Sequence, residues 1–474
     1  VKLSGLKPYH DILKQIAGLT GDKELYLVGG AVRDLSLERK ILDLDFAVKD
    51  SGVKFASRVA RNLKGAFVPL SEAEDEARVV IRKELILDFK GFKGSIEEDL
   101  AARDFTINAM ALDVHKILEG KRSSAIIDPF GGESDLERRF IRKVGPDSIQ
   151  SDPLRILRAY RFAAQFGFSI DQLLEREAEF ISLGNVARER IAYELMLILG
   201  LPRVYPLINR MIVAGLMQQI FPFANFWADY GVRSHSLMVL VSLERILYQK
   251  PDRWAPHIRE RIEEIVCNSH RAALLKLAAL FHDVSKPETR IRMEDGILHF
   301  YGHDTKGAKK MRRALSKELR FSNQDAERVE QTVARHMHLH LIATAPELTE
   351  RAMRRFARIC ADVTSEVMLL DLADGFATAG RTRHLEYTIV KILELAIQDA
   401  KRAAFVPLVN GYDLIALGLK PGPVFKVILG ELEELQWERK ITTKQEGLAL
   451  VKEKLAKDEY KPPDKTVGQD STGS

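Results

Sequence analysis

A chain of 474 residues exceeds what one hydrophobic core supports, so several domains are expected. Its 46% apolar and 29% charged residues suit a globular protein, and no apolar run nears the roughly 20 residues that span a bilayer, so no membrane partner is expected. Cys267 and Cys360 are the only cysteines, which excludes a disulfide framework or a thiolate zinc site; with a polar amino-terminal stretch, this places the expected compartment in the cytoplasm.

From residue 24 to about 115 the apolar segments ELYLVGG, DLDFAV, AFVPL, ARVVIR and ELILDF alternate with helical ones such as VKFASRVARNL, predicting a small α/β unit. IIDPFGG at 126–132 reads as a turn, and from 152 to about 400 helical periodicity dominates. Proline-rich punctuation at 202–223 and 407–425 separates helical blocks, and the polar tail from 457 is expected to be disordered. The formal charge of +5 is concentrated in KGAKKMRRALSKELR (306–320) and RAMRRFAR (351–358), stripes that suit a phosphate backbone or a solvated helix face.

The first chemistry lies at 27–48. Gly29 and Gly30 end a strand and open a helix, where backbone N–H groups approach a polyphosphate closely. Asp43 and Asp45 follow on the next strand and share one face, so their repulsion calls for a cation, and Mg²⁺ is the usual one for oxygen ligands. A glycine turn followed by two metal-binding acids is what two-metal phosphoryl transfer requires.

GGAVRD (29–34), DLD (43–45), ARDFTINAMALD (102–113), IDPFGGESDLERRFIRKVG (127–145), SDPLRILRAYRFAAQFGF (151–168) and RERIAYEL (188–195) occur in the order found in class II tRNA nucleotidyltransferases and bacterial poly(A) polymerases, and the chain resembles that family over about 24–200. The resemblance implies an α+β architecture: a small polymerase-β-like nucleotidyltransferase head, then a mostly α-helical neck and body. It maps Asp43 and Asp45 onto the metal-binding acids, adds Asp88 as a third acid, and places Arg33, Arg103, Asp104 and Asn108 around the incoming nucleotide.

Base choice is also written in the residues. Pro153 suits the first turn of a helix with Asp152 as its cap, and Arg155, three residues on, faces the same side as Asp152. A carboxylate accepts from the exocyclic amine of cytosine or adenine, and a guanidinium donates to their ring acceptors. Uracil and guanine present the reverse pattern and leave groups unpaired, at about 1–3 kcal/mol each. In the family, EDxxR supplies this amino-acid template, and Asp152 and Arg155 match it; Arg158 and Arg161 continue the helix as expected triphosphate ligands. Three departures stand out: Ser151 in place of the motif's Glu, Ala102 in place of the first Arg of RRDF, and a link of only KGFKGSIEEDLA between ELILDF and ARDF. Many complete CCA-adding members carry a longer Arg- and Gly-containing loop there, tied to the switch from C to A, so its absence points to addition of CC.

The second half is rich in histidine. His235, then His282 and Asp283, then Asp374 resemble the signature of HD metal-dependent phosphohydrolases over 235–374, with His303 and His336 as extra ligands of two-metal members and Asp371 as a weaker candidate. Imidazole and carboxylate donors suit a divalent transition metal or Mg²⁺. The expected divisions are a head (1–145), a base-selecting neck (146–225), an HD-like domain (226–400), a carboxy-terminal RNA-binding segment (401–456) and the tail (457–474). The expected partners are the tRNA 3′ acceptor end with CTP, ATP or both, Mg²⁺ serving the transferase site. The expected activity is CC addition; A addition, complete CCA addition and poly(A) synthesis stay open. A phosphohydrolase or 2′,3′-cyclic phosphodiesterase activity at the HD residues is the second hypothesis, and plain RNA binding the third.

Overall fold

Alternation in DLDFAV puts Leu44, Phe46 and Val48 on one face of a strand and Asp43, Asp45 and Ala47 on the other, and the first sheet of the molecule is built around that division. The computed structural model describes the whole chain except residues 1–2, 22, 42, 82–84, 122–125, 224–231, 250–252, 295, 297, 381, 401–405 and 458–474. The tail expected to be disordered therefore lies outside the described residues, apart from Lys457. Two compact units result: residues 1–249 with 265–334, and residues 250–264 with 335–474.

The first unit carries a seven-stranded sheet made of β1 (Leu25–Val28), β2 (Asp43–Lys49), β3 (Ala66–Ser71), β4 (Glu76–Ile81), β5 (Leu85–Phe92), β6 (Ala111–Asp113) and β7 (Ile126–Ile127). The strand order is β3-β4-β5-β2-β1-β6-β7, with β2 and β5 parallel and every other pair antiparallel. Parallel pairing sets Asp45 opposite Asp88, while β4 brings Arg78 opposite Asp88 from the other side. The helix Gly52–Leu63 is capped by Ser51, whose hydroxyl accepts from the Lys54 N–H, and buries Phe55, Ala56, Val59 and Ala60 as one stripe. Phe55 meets Phe89 edge-on at 5.5 Å, and Phe46 stacks on Phe89 at 5.0 Å, which closes the apolar face of the sheet.

After the sheet the unit is mostly helical, with Arg155–Phe166, Arg188–Leu199, Tyr205–Val213, Val232–Tyr248, Ser269–Phe281 and His303–Arg313 as its main segments. Lys276, fully buried, donates to the Leu201 carbonyl and lies 3.3 Å from Glu244, tying two of these helices to the loop that follows Arg188–Leu199. Two small ribbons interrupt the helical region that the periodicity predicts: Phe140–Ile141 pairs with Ser169–Ile170, and Arg290–Arg292 with Leu298–Phe300. Runs of two or three residues carry no readable alternation. The second unit is helical; Arg354 bonds Asp399 (2.8 Å) to join Glu350–Cys360 to Arg383–Ala400, and Leu414, Ile428, Leu432, Ile441 and Val451 form a separate core near its end. Among the described residues no helix is long and apolar enough to cross a membrane.

Candidate active site

Val28 ends β1 and Gly29 turns the chain with φ 63° and ψ −127°, so that Gly30 begins the helix Gly30–Ser36. The turn keeps its backbone bare for a reason of space. A Cβ on Gly29 would stand 2.9 Å from Arg103 Nη1, and one on Gly30 would stand 3.2 Å from Asp45 Oδ2. Glycines therefore let a carboxylate and a guanidinium lie directly against the turn.

Asp43 and Asp45 project from the same face of β2, with Asp88 beside Asp45. Burial, then the Asp88 charge, pushes the Asp45 carboxyl up to about 6 against the opposing pull of Arg103; the same two causes raise Asp43. Asp88 is differently placed, for Arg78 grips both its oxygens at 2.8 Å. Neither the Asp43 nor the Asp45 side-chain carboxyl makes a hydrogen bond or ion pair with a described residue. Two acids crowded by a third, with no bonded cation of the chain's own, form an all-oxygen donor set that fits a hard divalent ion.

Behind the acids runs a continuous polar chain. Arg33, buried, donates to Asn108 Oδ1 at 2.7 Å, and Asn108 Nδ2 donates to Asp104 Oδ1 at 3.0 Å. Asp104 then meets Arg158, with Nε at 2.8 Å and Nη2 at 2.7 Å. Burial would raise the Asp104 carboxyl, but Arg158 and the Asn108 hydrogen bond outweigh it and hold it below the usual carboxylate range. Glu194 closes the chain, at 2.6 Å from Arg161 Nε and 3.6 Å from Arg158 Nη1. The Phe162 ring lies beneath three of these guanidiniums, 4.1 Å from Arg161, 5.2 Å from Arg33 and 5.5 Å from Arg158. Arg103 is held by Asp99, through Nε at 3.1 Å and Nη2 at 2.9 Å.

Asp152 and Arg155, the pair expected to select the base, are arranged differently from their spacing. The helix begins at Arg155, and Asp152 ends the short turn Ser148–Ser151 instead of capping it; its Oδ1 accepts from the Leu154 N–H at 3.3 Å. The two side chains are bonded to other partners. Arg155 donates to the Ala102 carbonyl (2.7 Å), the Arg103 carbonyl (3.0 Å) and Ser148 Oγ (2.9 Å). Asp152 is gripped by Arg190, at 2.8 Å for Oδ2 and 3.3 Å for Oδ1.

A second cluster forms where the helix Ser269–Phe281 runs out into HDVSK. Asp283, almost fully buried, has His282 Nε2 at 3.3 Å, His303 Nε2 at 3.4 Å and His235 Nε2 at 3.5 Å. His282 Nδ1 lies 2.8 Å from the Ala279 carbonyl and His303 Nδ1 lies 2.6 Å from the Phe300 carbonyl. A carbonyl only accepts, so Nδ1 carries the proton and the Nε2 lone pair of each ring faces Asp283, the arrangement that orients metal-bound histidines. His235, His282 and Asp283 are close enough together to hold one ion, and the donors suit one. Lys286 Nζ also reaches Asp283 Oδ2, at 2.5 Å. Asp374 and His336 belong to the second unit, where Asp374 lies 3.6 Å from His340 and Asp371 accepts from the Leu339 N–H at 3.2 Å. Burial, then Asp374, raises the Asp371 carboxyl well above its usual range.

Four site residues were not singled out from the sequence: Arg190, Glu194, Asp99 and Arg78. Arg190 and Glu194 stand in RERIAYEL, one helical turn apart, and that spacing was the available signal. The basic stripes are largely engaged within the protein. Lys306 and Lys310 pair with Glu288, Arg358 meets Glu434 at 2.7 Å and Arg351 meets Glu438 at 2.7 Å, whereas Lys309, Lys317 and Arg355 make no ion pair with a described residue.

Known proteins match in the same order along the chain. The profile of the Poly A polymerase head domain matches residues 25–94 and 86–142, and that of the HD domain matches 232–379, so a nucleotidyl-transferring head is joined to an HD region. A CC-adding tRNA nucleotidyltransferase of Thermus thermophilus is 33% identical over 439 residues, covering 90% of this chain and 93% of that protein. An A-adding tRNA nucleotidyltransferase of Deinococcus radiodurans is 32% identical over 445 residues, covering 90% and 94%. With such relatives spanning nearly its whole length, the chain belongs to the tRNA nucleotidyltransferase family and is an enzyme of the CCA type. The fold agrees: a CCA-adding enzyme in complex with CTP superposes with a TM-score of 0.64 at 24% identity, covering 97% of this chain and 99% of that one. The Thermotoga maritima CCA-adding enzyme complexed with tRNA gives 0.57 at 23% identity, covering 94% and 95%.

Proposed function

We propose that this enzyme extends the tRNA 3′ end from CTP and stops after CC. The observation that carries this reading is the link between β5 and the helix Ile96–Ala101, which consists only of Lys93, Gly94 and Ser95. Ser95 and Glu98 close a reciprocal capping box there, and Lys49 Nζ bonds the Gly94 carbonyl at 2.5 Å, so the short link is fastened along its length. A pocket without a movable loop keeps one shape after each addition.

In this reading the terminal 3′-hydroxyl of tRNA attacks the α-phosphate of CTP, and the bond to pyrophosphate breaks. Asp43 and Asp45, with Asp88 beside them, would hold Mg²⁺, which when bound lowers the pKa of the attacking hydroxyl and neutralises the leaving group. Arg103, Arg158 and Arg161 supply the charge that draws the triphosphate in, while Arg33, Asn108 and Asp104 fix their geometry. Asp152 and Arg155 accept cytosine and reject uracil. The exposed Lys309 and Lys317 add phosphate contacts to the acceptor stem, read by shape and charge.

The test is extension at single-nucleotide resolution of tRNA ending at position 73, at CC and at CCA, with CTP alone, ATP alone and both. Two C additions and no A on any substrate support the reading. A added to the CC substrate overturns it in favour of A addition or complete CCA addition, and long A tails on all three indicate a poly(A) polymerase. Asp43→Ala with Asp45→Ala is expected to abolish incorporation and to leave tRNA binding largely intact.

The cluster around Asp283 favours a second activity, hydrolysis of phosphoesters or 2′,3′-cyclic phosphates on RNA ends, with a divalent transition ion or Mg²⁺ held by His235, His282 and Asp283 and polarising the phosphoryl oxygen when bound. His282→Ala with Asp283→Ala should spare incorporation and remove phosphodiesterase activity; equal loss of both would mark this cluster as structural.

A further inference from the structure

Position 151 leaves the base-selecting carboxylate without the neighbour that EDxxR supplies. Ser151 Oγ turns back to the Ser148 carbonyl at 3.0 Å, away from Asp152. The support comes from elsewhere in the chain. Arg190 presents two nitrogens to the two oxygens of Asp152, Nη2 at 2.8 Å from Oδ2 and Nη1 at 3.3 Å from Oδ1. The Leu154 N–H takes a further site on Oδ1, at 3.3 Å.

A carboxylate oxygen accepts about two hydrogen bonds. Oδ1 is therefore filled, by Arg190 and by Leu154, whereas Oδ2 keeps one acceptor site open. We propose that Arg190 is a specificity-determining positioning residue: its planar fork fixes the Asp152 carboxylate so that Oδ2 alone meets the exocyclic amine of the incoming base. The inference rests on Asp152 and Arg155 being the base template.

The placement of Arg190 serves that role. It stands on the helix Arg188–Leu199, four residues before Glu194, so the two side chains leave the same face. Glu194 braces Arg161 and Arg158, and Arg190 braces Asp152. One helix face thus supports both the triphosphate arginines and the base selector. A fixed carboxylate plane is what separates cytosine from uracil. An amine donates to Oδ2, whereas the uracil carbonyl brings a second acceptor against it, and a carboxylate free to rotate would evade that repulsion. Arg190 is half-exposed, so its replacement leaves no buried hole.

The experiment compares Arg190→Gln and Arg190→Lys with the unaltered enzyme and with Asp152→Ala, measuring kcat and KM for CTP and for UTP on tRNA ending at position 73. Arg190→Gln is expected to lower the CTP/UTP ratio of kcat/KM by about tenfold or more, the equivalent of one charged hydrogen bond misplaced. Arg190→Lys should fall between, because an ammonium is a point charge and cannot hold both oxygens. A purely structural role would lower both nucleotides together and leave the ratio unchanged, and that result overturns the proposal. Asp152→Ala separates the two levels. If it collapses the ratio while Arg190→Gln does not, the template stands and the role of Arg190 falls; if Asp152→Ala leaves the ratio untouched, the template reading itself has failed.

Discussion

Substituting alanine at Gly29 and at Gly30 separates the backbone demand of the turn from its spatial demand. Gly29 has φ 63° and ψ −127°, a region that side chains avoid, so Gly29→Ala should cost about 1–3 kcal/mol of stability. At about 2–4 °C per kcal/mol for a large domain, Tm should fall by roughly 2–12 °C. Its new Cβ, 2.9 Å from Arg103 Nη1, would also push on a guanidinium that Asp99 anchors through two hydrogen bonds. Gly30 has no such backbone demand, since its φ is not positive; its Cβ would only crowd Asp45 Oδ2 at 3.2 Å. Asp45 then has to give by a few tenths of an ångström. If a misplacement of 1 Å costs about a hundredfold, a third of that costs about fivefold in kcat. Thermal unfolding and single-turnover incorporation of CTP measure the two effects. Gly29→Ala should lose both stability and rate, and Gly30→Ala rate alone. Full activity in Gly30→Ala would refute the claim that Asp45 works from its position against the turn, and an unchanged Tm in Gly29→Ala would refute the backbone argument.

The Asp45 carboxyl, raised to about 6, binds a proton where an ordinary aspartate does not, so protons compete with Mg²⁺ as pH falls through that value. The Mg²⁺ concentration for half-maximal incorporation should rise between pH 8 and pH 6, and Arg78→Met, by removing the charge that offsets Asp88, should steepen the rise. Asp104 sets an acid-stability term of the opposite sign. Its carboxyl is depressed in the folded protein, so its contribution is full above the unfolded value near 3.8 and is lost as pH falls through the folded one, and Asp104→Asn should flatten the acid end of a Tm-against-pH curve. Glu194→Gln leaves Arg161 without its buried partner and should cost about 3–5 kcal/mol, read by chemical denaturation. Burial, opposed by Arg335, pushes the Cys360 thiol up to about 12, so thiol titration should modify exposed Cys267 in the native enzyme and Cys360 only after unfolding.

How far the sequence could be read follows from the range of each interaction. The strands of the head were legible because LVGG, DLDFAV and ELILDF carry their own alternation, and the opposition of acids at 43 and 45 to apolar residues at 44 and 46 marked the two faces. The tRNA nucleotidyltransferase family and its order of motifs were legible too, through short local spacings. The partners of the functional side chains were not. Arg78 reaches Asp88 only because β4 and β5 pair in one register, and Arg190 reaches Asp152 across 38 residues. Spacing placed Asp152 and Arg155 on one side, but Leu154 and the turn Ser148–Ser151 moved the start of the helix by two residues and sent Arg155 toward the carbonyls of 102 and 103. Local patterning gives the face of an element; only the assembled fold says which charge meets which.

The three-residue link at Lys93–Ser95 has a consequence for how such enzymes can diverge. Its ends are already close and independently fastened, by the Lys49 contact on Gly94 and by the Ser95–Glu98 box that starts the next helix. Extra residues inserted before Gly94 would leave both fastenings in place, and lengthening a surface loop is cheap, each doubling costing only about 0.6 kcal/mol. If this link sets the product, as proposed, the length of the finished tRNA end can drift over evolutionary time through insertions and deletions at one surface position, with the acids, the arginines and the hydrophobic core left as they are. Change in product would precede change in scaffold, and enzymes of differing product would be expected to share a framework this similar.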